Sequence, residues 1–61
     1  MNVLISKQNE PFIKKILPKV KFQEASINTS IFKVSTPTFQ KLYTAVKNEG
    51  YNPYALMYWS Y

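Results

Sequence analysis

Apolar and polar residues alternate along much of this chain, and where the period changes the element changes. Asn2–Ser6, NVLIS, is a short apolar run rich in Val and Ile and reads as a strand. KQNE breaks it. In Pro11–Pro18, PFIKKILP, Phe12, Ile13, Ile16 and Leu17 fall at helical spacing with Lys14 and Lys15 opposite. Pro11 suits a first turn and Pro18 ends the run, so a short helix is predicted, with an extended connector as the alternative.

Lys19–Glu24, KVKFQE, alternates strictly. Val20 and Phe22 point one way; Lys19, Lys21 and Gln23 point the other. After the polar cluster ASINTS, Ile31–Ser35 alternates again, with Phe32 and Val34 on one face. Two such runs around a polar turn predict an antiparallel hairpin. Lys33 would then share a face with Lys19 and Lys21.

The period lengthens to that of a helix after Ser35. Phe39, Leu42, Tyr43 and Val46 make one apolar stripe, and Gln40, Lys41, Thr44, Lys47 and Asn48 fill the remaining surface. Thr36 is the expected cap and Pro37 the first helical residue. Gly50, the single glycine, stands where a left-handed C-terminal cap is expected.

The final stretch, YNPYALMYWSY, is apolar in both periods. As a strand it places Tyr54, Leu56, Tyr58 and Ser60 on one face and Ala55, Met57, Trp59 and Tyr61 on the other. As a helix it would start at Asn52 and Pro53. Aromatic content favours the strand. The expected fold is a single α+β domain over residues 1–61. Its order is β-(short α)-β-β-α-β, an antiparallel sheet with one or two helices on one face, ferredoxin-like in miniature.

Composition narrows the chemistry. Arg, Asp, His and Cys are all absent from these 61 residues, and the acids are Glu10, Glu24 and Glu49. Without cysteine there is no disulfide framework or thiolate metal site. One glycine rules out Gly-rich phosphate loops and dinucleotide fingerprints. No histidine or cysteine stands ready as base or nucleophile, and no motif links the three glutamates. The chain is therefore expected to be no enzyme and to carry no metal or cofactor. Lys, Asn, Ile, Tyr and Phe dominate, the residues of AT-rich codons, which points to a low-GC bacterium, its phages or its mobile elements.

The longest unbroken apolar run, Tyr54–Trp59, is far short of the roughly 20 residues a membrane span needs. The N-terminus has no basic segment ahead of an apolar one, so no secretory signal and a cytoplasmic location are expected. Net charge is +5, all from lysine. Lys14, Lys15, Lys19, Lys21 and Lys33 form the expected basic patch, a field attracting phosphate or an acidic protein.

Two binding readings follow. In the first, the chain docks on another protein with an acidic docking surface, as a phage- or mobile-element-type regulator or inhibitor of a host protein or defence complex. A domain this short buries only about 60% of its unfolded surface. Phe12, Phe22, Phe32, Phe39 and Tyr43, completed by Leu56 or Tyr58, suffice for its core. Tyr51, Tyr54, Met57, Trp59 and Tyr61 are then the expected partner surface, of a residue type enriched at interface centres. In the second, lysines beside aromatics on an open sheet bind nucleic acid, mostly single-stranded. Without arginine such binding would select sequence weakly. A homodimer, with a second copy covering the last strand, fits either reading.

Overall fold

The computed structural model describes residues 1–60; Tyr61 lies outside the described residues. Strand β1 (Asn2–Ser6) leads through a 3-10 turn at Lys7–Asn9 into helix α1 (Glu10–Ile16). Strands β2 (Gln23–Ser26) and β3 (Thr29–Lys33) form a hairpin. Helix α2 (Thr36–Asn48), the one-turn helix α3 (Pro53–Leu56) and strand β4 (Met57–Ser60) follow. The sheet order is β2-β3-β1-β4, every neighbouring pair antiparallel. This is the split βαβ arrangement that the order of elements predicts. The radius of gyration is 10.4 Å, against about 10.5 Å for a compact chain of this length.

Local chemistry explains the elements. In α2 the extended backbone of Ser35 (φ −70°, ψ 160°) brings its hydroxyl to the Thr38 N–H at 3.4 Å, so Ser35 is the cap and Thr36, the expected cap, is the first helical residue. At the other end Gly50 has φ +90°. Its N–H donates to the Lys47 carbonyl at 3.0 Å, and the Tyr51 N–H donates to the Val46 carbonyl at 3.2 Å. Those two bonds are a Schellman motif, which needs the left-handed residue that glycine supplies. Asn52 caps α3 by accepting from the Tyr54 N–H at 3.0 Å.

The core lies between the sheet and the helices. Val3 and Ile5 of β1, Phe32 of β3 and Met57 of β4 meet Ile13 of α1 and Phe39, Leu42 and Val46 of α2. Phe12, Phe22, Tyr43, Leu56 and Trp59 pack around them half-buried. The Ser30 hydroxyl, on the same inner face, donates to the Glu10 carboxylate and ties the start of α1 to β3. Ser30 is closed to solvent, while Glu10 is half-buried.

Three expectations need correcting. The tail is neither wholly strand nor wholly helix: one helical turn ends at Leu56 and the strand begins at Met57. Its faces are also the reverse of the expected ones. Met57 is 4% exposed and Trp59 half-buried over the helices, while Tyr58 is 71% exposed on the outer face. The reason is register: Met57 pairs with Ile5 and Trp59 with Val3, the two core residues of β1. Finally, β2 begins at Gln23, not Lys19, and runs to Ser26 with a bulge between Glu24 and Ser26. Val20 and Phe22 do pack on the core, but Lys19–Phe22 leave α1 through a turn (Val20 N–H to the Leu17 carbonyl, 3.1 Å) and never join the ladder.

Candidate functional site

The helices cover only one side of the sheet. Cross-strand register fixes what the other side shows. Tyr58 of β4 lies opposite Leu4 of β1, Leu4 opposite Ile31 of β3, and Ile31 opposite Gln23 of β2. An apolar row, Tyr58–Leu4–Ile31, therefore runs across three strands with no helix above it. Polar rows flank it: Ser60, Asn2 and Lys33 on one side, Ser6, Thr29 and Ser26 on the other. Leu4 and Ile31 are half-buried.

At the β4 edge the aromatic side chains form a connected cluster. Trp59 packs on Phe39 at 4.8 Å between ring centroids, Tyr54 on Trp59 at 5.3 Å, and Tyr43 stands edge-on to Tyr54 at 6.1 Å. Lys47 Nζ lies 6.0 Å from the Tyr43 ring, within cation–π reach. Tyr54 closes the cluster on its solvent side and is 73% exposed. Hydrogen bonding with the Tyr43 side chain, and then the charge on that neighbouring phenol, hold Tyr54 above the ordinary tyrosine range, while Lys47 pulls the other way. Tyr51 is exposed but leans on Phe12 at 5.0 Å.

The second feature is a groove of about 970 Å³ at the end of the sheet where α1 finishes and α2 starts. It opens where Lys19–Phe22 peel away from β3. Ile16, Leu17, Val20, Ile31, Phe32 and Val34 are in its apolar lining, and Ile31 is shared with the outer sheet face. Lys19, Lys21, Lys33 and Lys41 stand around it, all exposed, and no acidic residue lines it. Among the described residues the one ion pair joins Lys7 to Glu24 at 2.9 Å, so the four groove lysines pair with none of the three glutamates.

The structure thus sorts the expected site residues into groups. Of the aromatic set, Tyr51 and Tyr54 are on the surface, Trp59 is a half-buried support for Tyr54, and Met57 belongs to the core. Tyr61 lies outside the described residues. Of the basic set, Lys19, Lys21 and Lys33 meet at the groove, whereas Lys14 and Lys15 are on the exposed last turn of α1 and do not line it. Sequence reading missed Tyr58, Leu4, Ile31 and Lys41. The first three were legible as the second apolar set of their strands. Lys41 sits on the polar face of a helix, where nothing in the pattern joins it to Lys33. Also unforeseen is Ile27, 83% exposed at the β2–β3 turn.

No known protein family, curated protein or solved structure matches this chain. No helix among the described residues is long and apolar enough to cross a membrane, and no group of three or more His, Cys, Asp or Glu side chains among them could hold a metal ion.

Proposed function

We propose that this chain is a non-enzymatic binding protein that docks on another protein with an acidic docking surface. It acts as a regulator or inhibitor of a host protein or defence complex, of the kind phages and mobile elements encode. The observation that carries the docking reading is the uncovered Tyr58–Leu4–Ile31 row. A sheet face with an apolar centre and a polar border has the composition of an interface: apolar core, hydrated rim. Tyr58 is an anchor of a favoured kind, with large area and a polar tip. The net charge of +5 adds the preference for an acidic partner and speeds encounter with it. The phage or mobile-element source rests on the AT-rich residue usage alone.

The same face argues against nucleic acid as the main ligand. Base-stacking sheets present aromatic rings on their central strands. Here the central strands present Leu4 and Ile31, and the single ring, Tyr58, is on the edge strand. The exposed tyrosines at the β4 edge and the groove lysines stand at different ends of the sheet.

The test is capture from a low-GC bacterial lysate treated with nuclease, comparing the wild-type chain with Tyr58→Ser and Leu4→Lys. A protein retained by the wild type and lost from both variants, each folded by circular dichroism, supports the reading. Equal retention by all three baits, or a capture abolished by nuclease, refutes it.

A further inference from the structure

We propose that the lysine-ringed groove takes an extended acidic peptide segment of the partner protein, with one apolar side chain on the groove floor. The inference rests on the protein-docking reading and names the partner's chemistry. Three observations converge. The first is charge: Lys19, Lys21, Lys33 and Lys41 surround one opening with no acidic side chain in its lining, and among the described residues none of the four is paired with a carboxylate. A ligand bearing several carboxylates supplies what is missing.

The second is the floor. Leu17, Val20, Ile31 and Val34, each half-buried, make a surface that a pure polyanion would leave wet, while a Leu- or Phe-sized side chain would cover it. No ring there is free to stack a base, since Phe22 and Phe32 are packed edge-to-face on each other at 5.5 Å.

The third is the backbone. The Val34 N–H donates to the Met1 carbonyl at 3.0 Å, and the Met1 amine donates to the Val34 carbonyl at 2.7 Å. Strand alternation then turns the N–H and C=O of Lys33 to the opposite side, toward β2. On that side the ladder stops at the Gln23–Ile31 pair, because Lys21 has swung away. A peptide backbone laid beside Lys33 takes the place Lys21 would have had, which is strand addition of the kind many peptide-binding domains use. A phosphodiester backbone, which carries acceptors and no N–H, does not offer that repeating donor and acceptor.

The experiment is a titration of the isotope-labelled full chain, followed by amide chemical shifts. The probe is a short acetylated peptide of glutamates around one central leucine. Controls are the same peptide with glycine for leucine, the same with glutamine for glutamate, and a single-stranded oligothymidylate of equal charge. The expected result is shifts centred on Val20, Lys33 and Val34, with binding at least about tenfold weaker for the glycine and glutamine peptides. Lys19→Glu/Lys33→Glu should weaken the leucine peptide by about tenfold or more, while Lys14→Glu/Lys47→Glu, of equal charge change outside the groove, should cost no more than about twofold. All four lysines are exposed, and binding is compared at a temperature at which circular dichroism shows both variants folded. Equal losses in the two variants, or shifts spread over the whole basic surface, overturn the groove site and leave the sheet-face reading standing. Tighter binding of the oligonucleotide at the groove, with the same variant dependence, overturns both.

Discussion

Tyr58 and Trp59 are neighbours in sequence that point to opposite sides of the sheet, and replacing each in turn tests the fold and the function separately. Trp59 contacts Phe39, Tyr43 and Tyr54 at centroid distances of 4.8, 6.1 and 5.3 Å. Truncating a buried Trp or Phe to Ala costs about 3–5 kcal/mol. Trp59 is half-buried, which scales the loss to about 2–3 kcal/mol, a value that includes its aromatic pairings. A core this small supplies only about 3–5 kcal/mol in total. Trp59→Ala therefore removes half or more of the stability and should lower the melting temperature by about 10–20 °C. Tyr58 is 71% exposed. Tyr58→Thr replaces an aromatic strand former with a β-branched one and should stay within about 0.5 kcal/mol of wild type, a shift of no more than about 4 °C. Far-UV circular dichroism, followed through heating and urea, reads both without relying on the lost tryptophan. A Tyr58→Thr variant that loses as much as Trp59→Ala, or a Trp59→Ala variant that melts with the wild type, would refute this assignment of the two faces. Partner binding lost in Trp59→Ala alone would reflect unfolding, so Tyr58 is the residue at which recognition is measured.

Two further outcomes follow from local geometry. Gly50 has φ +90° and nothing within 4 Å of a β-carbon built on it, so Gly50→Ala should cost only the backbone term, about 1–2 kcal/mol, read in urea; a change under about 0.3 kcal/mol would refute the cap. Tyr54, held above the ordinary tyrosine range by Tyr43, should give a late step above that range in an ultraviolet pH titration, and Tyr43→Phe should abolish that late step. A raised folded-state value means the neutral phenol is favoured in the fold, so this contribution is present below the unfolded tyrosine pKa and fades as pH climbs through the folded one. An unchanged late step in Tyr43→Phe would remove the coupling.

The parts of the fold written locally were legible in the sequence. The NVLIS strand has the predicted bounds, the Phe39–Leu42–Val46 stripe is buried, and Gly50 ends the helix it was expected to end. What alternation cannot say is whether another strand runs alongside. Val20 and Phe22 face the core as their pattern requires, yet Lys19–Phe22 stay out of the ladder, and the groove exists because they do. Nor does alternation carry a sign when both faces are apolar. In Met57–Ser60 the inner face was decided by pairing with Val3 and Ile5 across the sheet, information held in another strand. Met57 and Trp59, expected on the surface, are therefore turned inward, and the surface proposed for docking is Tyr58 with Leu4 and Ile31. The basic patch likewise loses Lys14 and Lys15 and gains Lys41, because loop closure and not spacing in sequence assembles it.

The most direct test of docking through the open sheet face is photo-crosslinking from a benzoylphenylalanine placed at position 58. The same group at position 48, on the exposed last turn of α2, is the reference. In a low-GC bacterial lysate, the account expects a discrete protein adduct from position 58 that resists nuclease, is competed by unlabelled wild-type chain and is absent from position 48. Adducts that are alike at both positions, that vanish with nuclease, or that never form at position 58 would contradict it.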